Sequence, residues 1–166
     1  MKKILAIAVL LIMAVAAQAQ SAKSLYRKYA DEKGVSAVYI SPAMFRLIGR
    51  LPEVELNDED LDLTPVIKNI TGMYILNSER PEVSDRLLGE VERYLDSGEY
   101  EMLLEAREDG ELTRIFTVGN ESVVRSFVII NIEPDEVNFI SIEGNIPRQK
   151  LEEIVVGGSD GKPAED

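Results

Sequence analysis

Three aspartates, Asp58, Asp60 and Asp62, stand at alternate positions in an acidic stretch that also holds Glu53, Glu55 and Glu59. The spacing matches the first three ligand positions of a calcium loop, because a hard divalent cation prefers carboxylate oxygen. The match then fails, since Leu63 stands where the sharp turn needs glycine and Asn69 where the bidentate glutamate belongs. What remains is a weak, non-loop calcium candidate at Asp58, Asp60 and Asp62. The plainer reading is a solvated acidic segment that favours the N-terminus of the helix after it. No other cofactor is expected.

The remaining chemistry is bounded by absences. The chain has no histidine, cysteine or tryptophan. Serine triads, cysteine–histidine pairs, Cys/His zinc sites and histidine-ligated haem are therefore excluded. A Ser-x-x-Lys string occurs at Ser159 to Lys162, in a stretch with no periodicity to hold it in register. The glycines before Lys162 do not make a phosphate loop, because Val156 and Pro163 occupy positions that need glycine and a hydroxyl residue. Paired carboxylates could still serve glycoside hydrolysis. Composition selects no pair, and the aromatic platforms that sugar sites use lack tryptophan, so a carboxylate-only hydrolase is the lesser alternative.

Lys2 and Lys3 precede an apolar run from Ile4 to Ala17, and Ala17-Gln18-Ala19 supplies small residues before a cut at Gln20. This is the layout of a secretory signal over residues 1–19, and the run is shorter than the roughly 20 residues that span a bilayer. With no cysteine there is neither a disulfide nor a lipid-bearing residue at the cut, which favours a periplasmic or secreted protein without a stable membrane anchor. Residues 20–156 are expected to form one α+β domain, followed by a disordered acidic tail at 157–166. Removing Lys2 and Lys3 from the 18 basic residues leaves 16 against 30 acidic ones, a net charge of −14. A phosphate backbone needs clustered Lys and Arg, so nucleic acid is excluded as a partner, and an anionic membrane surface is disfavoured.

The elements that would carry any site follow from periodicity. Ser21 to Lys33 reads as a helix ending at Gly34, and Val35 to Ile40 as a strand. Ser41-Pro42 opens a helix whose Met44, Phe45, Leu47, Ile48 and Leu51 form an apolar face, expected to be core. A short helix begins near Thr64-Pro65 and ends at Gly72, and Met73 to Leu76 is a strand. Pro81 to Ser97 has the clearest helical spacing. Four strands then follow at Tyr100 to Arg107, Leu112 to Val118, Ser122 to Ile132 and Val137 to Ile142, joined by turns short enough to force an antiparallel meander. The apolar stretch from Arg125 to Asn131 is expected to be central and covered on both faces or nearly so. A last helix opens at Pro147, where Leu151, Ile154 and Val155 can cover one sheet face. The fold class is α+β, with a mixed or largely antiparallel sheet and helices mainly on one face.

This order, with a Val-Ser-Ala-Val-Tyr-Ile-Ser strand leading to Met44-Phe45 and Ile142-Glu143-Gly144-Asn145-Ile146 leading to Leu151, resembles the domain-of-unknown-function family 4252. Its members are small exported proteins, mostly of Bacteroidetes. The resemblance implies location and lineage, and it carries over no catalytic or binding residue. The functional expectation is a non-enzymatic periplasmic module that binds a protein or another envelope component, an envelope protein being the possible partner, with a calcium-stabilised structural domain as the alternative. An exposed edge strand could also recruit a partner or pair two copies into a homodimer.

Overall fold

The computed structural model describes residues 21–48 and 64–151. The expected signal segment at 1–19, Asp58, Asp60, Asp62, Leu51, Ile154, Val155 and the expected tail at 157–166 lie outside them. Within them, the element order is α1 (Ala22–Tyr29), β1 (Val35–Ile40), α2 (Pro42–Ile48), α3 (Thr64–Ile67), β2 (Ile70–Ser78), α4 (Pro81–Asp96), β3 (Glu101–Glu108), β4 (Glu111–Gly119), β5 (Val123–Ile132) and β6 (Val137–Pro147). The fold is α+β.

The six strands form one sheet in the order β1-β2-β6-β5-β4-β3. All five pairings are antiparallel. The expected meander runs from β3 to β6, and its last strand then pairs with β2. The chain therefore leaves β2 in one half of the sheet, traverses α4, and restarts at the far edge. Asp109 and Gly110, with φ of 48° and 91°, make the tight β3–β4 hairpin that the Asp-Gly dipeptide calls for.

Helix α1 is closed at its start by a reciprocal pair, in which Ser21 Oγ accepts from Ser24 N at 3.1 Å and Ser24 Oγ from Ser21 N at 2.9 Å. Leu25 and Tyr29 project one turn apart from α1 into the core, where Val83, Leu87, Val91 and Tyr94 of α4 meet them. Beneath the helices lie Tyr74 and Leu76 of β2, Phe139 of β6, and Val128 and Ile130 of β5, all buried. Each such side chain contributes about 1.5–3 kcal/mol on removal from water, and Phe45, Val124 and Ile146 add buried apolar surface outside this cluster.

Three expectations change in the structure. Gly72 does not end a helix: it lies inside β2, beside a register shift, where a Cβ would sit 3.6 Å from the rings of Tyr39 and Tyr74. The β-branched Ile70 and Thr71 suit a strand, and pairing with β6 extends β2 back to Ile70. The helix expected to open at Pro147 begins one residue later: Pro147 still pairs in β6 opposite Val123, and helical residues follow directly at 148–151. In α2 the apolar face is not all core, since Phe45 is buried while Met44 and Leu47 are 48% and 58% exposed.

Candidate interaction surface

Because side chains alternate along a strand, each residue that points to the helices is flanked by two that point away. In β5, Val128 and Ile130 are buried, whereas Phe127 and Ile129 are only partly so. The same alternation runs through β2, with Tyr74 and Leu76 buried and Met73 and Ile75 part-exposed, and through β6, with Phe139 buried and Ile140 and Ile142 part-exposed. The stretch expected to be covered on both faces is thus sealed on one and half-open on the other.

The register places these half-open residues in line. Val38 pairs with Ile75, Ile75 with Ile140, Ile140 with Ile129, Ile129 with Ile115, and Ile115 with Leu104. One aliphatic row therefore crosses the whole sheet, ending at edge residues Val38 and Leu104, which are 48% and 44% exposed. A second row, Ile40, Met73, Ile142 and Phe127, runs beside it over four strands. On the other flank the row is polar: Ser36, Asn77, Asn138, Asn131 and Thr113 stand side by side. There, Thr113 Oγ1 donates to Asn131 Oδ1 at 2.9 Å, while Asn77 Oδ1 and Asn138 Oδ1 are buried and accept no hydrogen bond. Soluble chains seldom leave so long an apolar stripe part-exposed without a use for it.

A second cluster lies on the helix side. Tyr39 stacks on Tyr74 with centroids 5.0 Å apart, and Tyr26 of α1 leans on both at 6.1 and 5.8 Å. Glu143, opposite Gly72 in β6, is half-buried nearby, and desolvation raises its carboxyl above the ordinary value while Lys23 pulls it back. Burial, then the Glu143 charge, raises the Tyr74 phenol. Further along the face, Tyr94 and Tyr100 share a hydroxyl–hydroxyl hydrogen bond, and burial holds the Tyr94 phenol well above its ordinary range. The charge acting on Glu143 is that of Lys23.

At the other end of the sheet, Arg114 of β4 donates to Glu105 of β3 at 2.9 Å and lies 3.8 Å from Glu92 of α4. These ion pairs tie the meander edge to the helix and leave the opposite face untouched. Among the described residues no group of three acidic, histidine or cysteine side chains could hold a metal ion. The calcium candidates Asp58, Asp60 and Asp62 lie outside the described residues. No helix among those residues is long and apolar enough to cross a membrane.

A family model described as "Domain of unknown function (DUF4252)" matches residues 26–154, well over half of the 166-residue chain. The chain belongs to this family. The match to DUF4252 takes in all six strands, and with them both the aliphatic row and the tyrosine cluster. No curated protein matches the chain.

Sequence reasoning placed the strands but not this surface. Leu104, Ile115, Ile129, Ile140, Ile75 and Val38 come from six separate strands, and only the pairing register lines them up. The signal that could have found them is the run Phe127 to Ile130 itself. A continuous apolar run in an antiparallel sheet with helices on one face implies an apolar second face.

Proposed function

We propose that this chain is an exported, non-enzymatic binding module of the cell envelope, and that its working surface is the half-open aliphatic face of the sheet. The observation that carries the reading is the cross-strand row from Val38 to Leu104, with no charged residue in it. A face of this kind gains free energy by leaving water and has nothing to do acid–base chemistry with. Export rests on the basic, apolar and small-residue layout of residues 1–19. The missing histidine and cysteine support a binding rather than a catalytic role.

The experiment is crosslinking and affinity capture from the envelope, run in parallel on the tagged full chain and on Ile129→Asp. Expected is a defined binding partner, whether another protein or the chain itself, that is recovered with the parent and lost with the variant. The chain recovered from the periplasmic fraction should begin at Gln20. An identical set of proteins from parent and variant, with both exported and folded, would sink the surface assignment. A chain that keeps Met1 and stays in the cytoplasm would sink the export half.

A further inference from the structure

Resting on that reading, we propose that the occupant of the open face is a second copy of the same chain, packed sheet against sheet about a two-fold axis. The symmetry of the row favours this occupant. The aliphatic row has three strands on either side of its midpoint, which lies between Ile140 and Ile129. A two-fold axis through that midpoint, lying between the sheets and along or across the strands, lays the row on itself. Ile140 and Ile129 of both copies then meet at the centre. An isologous interface needs such self-complementarity, and a row of aliphatic side chains from edge to edge provides it without any directional partner.

The face is also large enough for a dimer. Six strands about 4.8 Å apart and three side-chain rows about 6.8 Å apart give a footprint on the order of 600 Å² per copy, or about 1,200 Å² for the pair. That reaches the lower end of what specific interfaces bury. Two twisted sheets pack face to face about 10 Å apart with strands within about 30° of each other, a geometry open to any flat aliphatic face.

Charge points the same way. The chain carries a net charge of −12, and neither apolar row contains a basic residue. An anionic lipid surface is repelled by the whole, and Arg125, exposed two residues from Phe127 in β5, does not by itself make the basic cluster such a surface needs. Two copies of the chain repel each other too, but their acidic groups stay outside the contact and are screened by salt. The polar row beside the aliphatic one limits the contact to one flank, because polar side chains lose hydration without return against aliphatic groups.

The absence of cysteine makes the test direct, since a single introduced thiol reports alone. The full chain, purified as it accumulates in expressing cells, is measured by light scattering from about 1 to about 100 µM. Ile140→Cys is treated with a short bis-maleimide, alongside Asp85→Cys on the exposed side of α4. Expected are a dimer mass, a covalent dimer from Ile140→Cys but not from Asp85→Cys, and at least ~100-fold weaker association for Ile129→Asp. If Ile129→Asp fails to fold, the thiol pair still decides.

A strict monomer at about 100 µM that does not crosslink at residue 140 overturns the inference and leaves the binding module to its own capture experiment. A dimer that crosslinks at neither position also overturns it, because two copies would then be joined at a strand edge. A monomer that floats with anionic vesicles overturns it in favour of a lipid surface.

Discussion

Ile129 and Ile130 are neighbours on one strand, share a backbone environment, and point to opposite faces, so replacing each by alanine isolates the difference between the faces. Ile130 is 1% exposed and packs among Leu76, Phe139 and Val128, whereas Ile129 sits in the half-open row. Truncating isoleucine removes three carbons. On the closed face this forfeits about 2.4 kcal/mol of transfer free energy, and the cavity left behind brings the loss to about 3–4 kcal/mol. On the open face water already reaches part of the side chain and fills the space it leaves, so the loss is about 1–2 kcal/mol. The strand-propensity change is the same in both and cancels. Ile130→Ala should therefore cost about 2 kcal/mol more than Ile129→Ala. The assay is equilibrium denaturation, at a protein concentration low enough that the midpoint no longer depends on it. As concentration rises, the parent should gain stability and Ile129→Ala should gain less. Equal losses at low concentration would refute the reasoning, because they would mean that some other part of the chain seals the second face.

Other expectations follow from single groups. Glu143 has a raised folded pKa, so its favourable term is present below the unfolded value and is lost as pH rises through the folded one. Glu143→Gln should melt higher than the parent at neutral pH, with the gain fading as the pH falls into the carboxylate range; an unchanged difference across that range would remove the desolvation argument. Gly144→Ala would place a Cβ 2.5 Å from the Asn69 carbonyl oxygen, a backbone atom that cannot swing aside, and should cost about 1–3 kcal/mol in chemical denaturation. Calcium at millimolar concentration should raise the melting temperature if Asp58, Asp60 and Asp62 form a site, and Asp60→Asn should abolish the rise. No shift between calcium and chelator leaves the segment as solvated acid.

The strands of the meander were legible because their signals are local. Asp109-Gly110 forces a two-residue hairpin, and the β-branched runs of β4, β5 and β6 alternate or nearly so. Helix α4 was legible from the spacing of Val83, Leu87, Val91 and Tyr94. The start of β2 was not, since Ile70 and Thr71 are held extended by β6, a strand about seventy residues later, and a glycine inside a strand looks locally like one that ends a helix. The candidate surface was least legible. Val38 and Leu104 stand at opposite edges of the sheet, and their common row exists only through four intervening strands. The tyrosine cluster is non-local in the same way, joining Tyr26 of α1 to Tyr39 and Tyr74 of two paired strands.

Edge pairing is the natural competitor of face packing, and the chemistry of the two edges decides between them. Strand β3 is exposed along its whole length, yet it carries a register shift between Met102 and Leu104 together with Glu101, Glu105, Arg107 and Glu108. A bulge breaks the regular spacing of free backbone groups, and side-chain charges resist burial, which are the devices by which sheets blunt an edge. Strand β1 at the other edge is regular but only six residues long, so an added strand would gain few ladder hydrogen bonds there. Each net backbone bond is worth about 1 kcal/mol, and a short two-stranded junction must also offset the loss of translational freedom. The aliphatic face has neither handicap: it spans all six strands and requires no charge to be desolvated. Association through the face should therefore survive a proline placed at Ala37 to block the β1 edge, provided the variant stays folded, and should fail when Ile129 is made acidic. The reverse pattern would assign the contact to the edge.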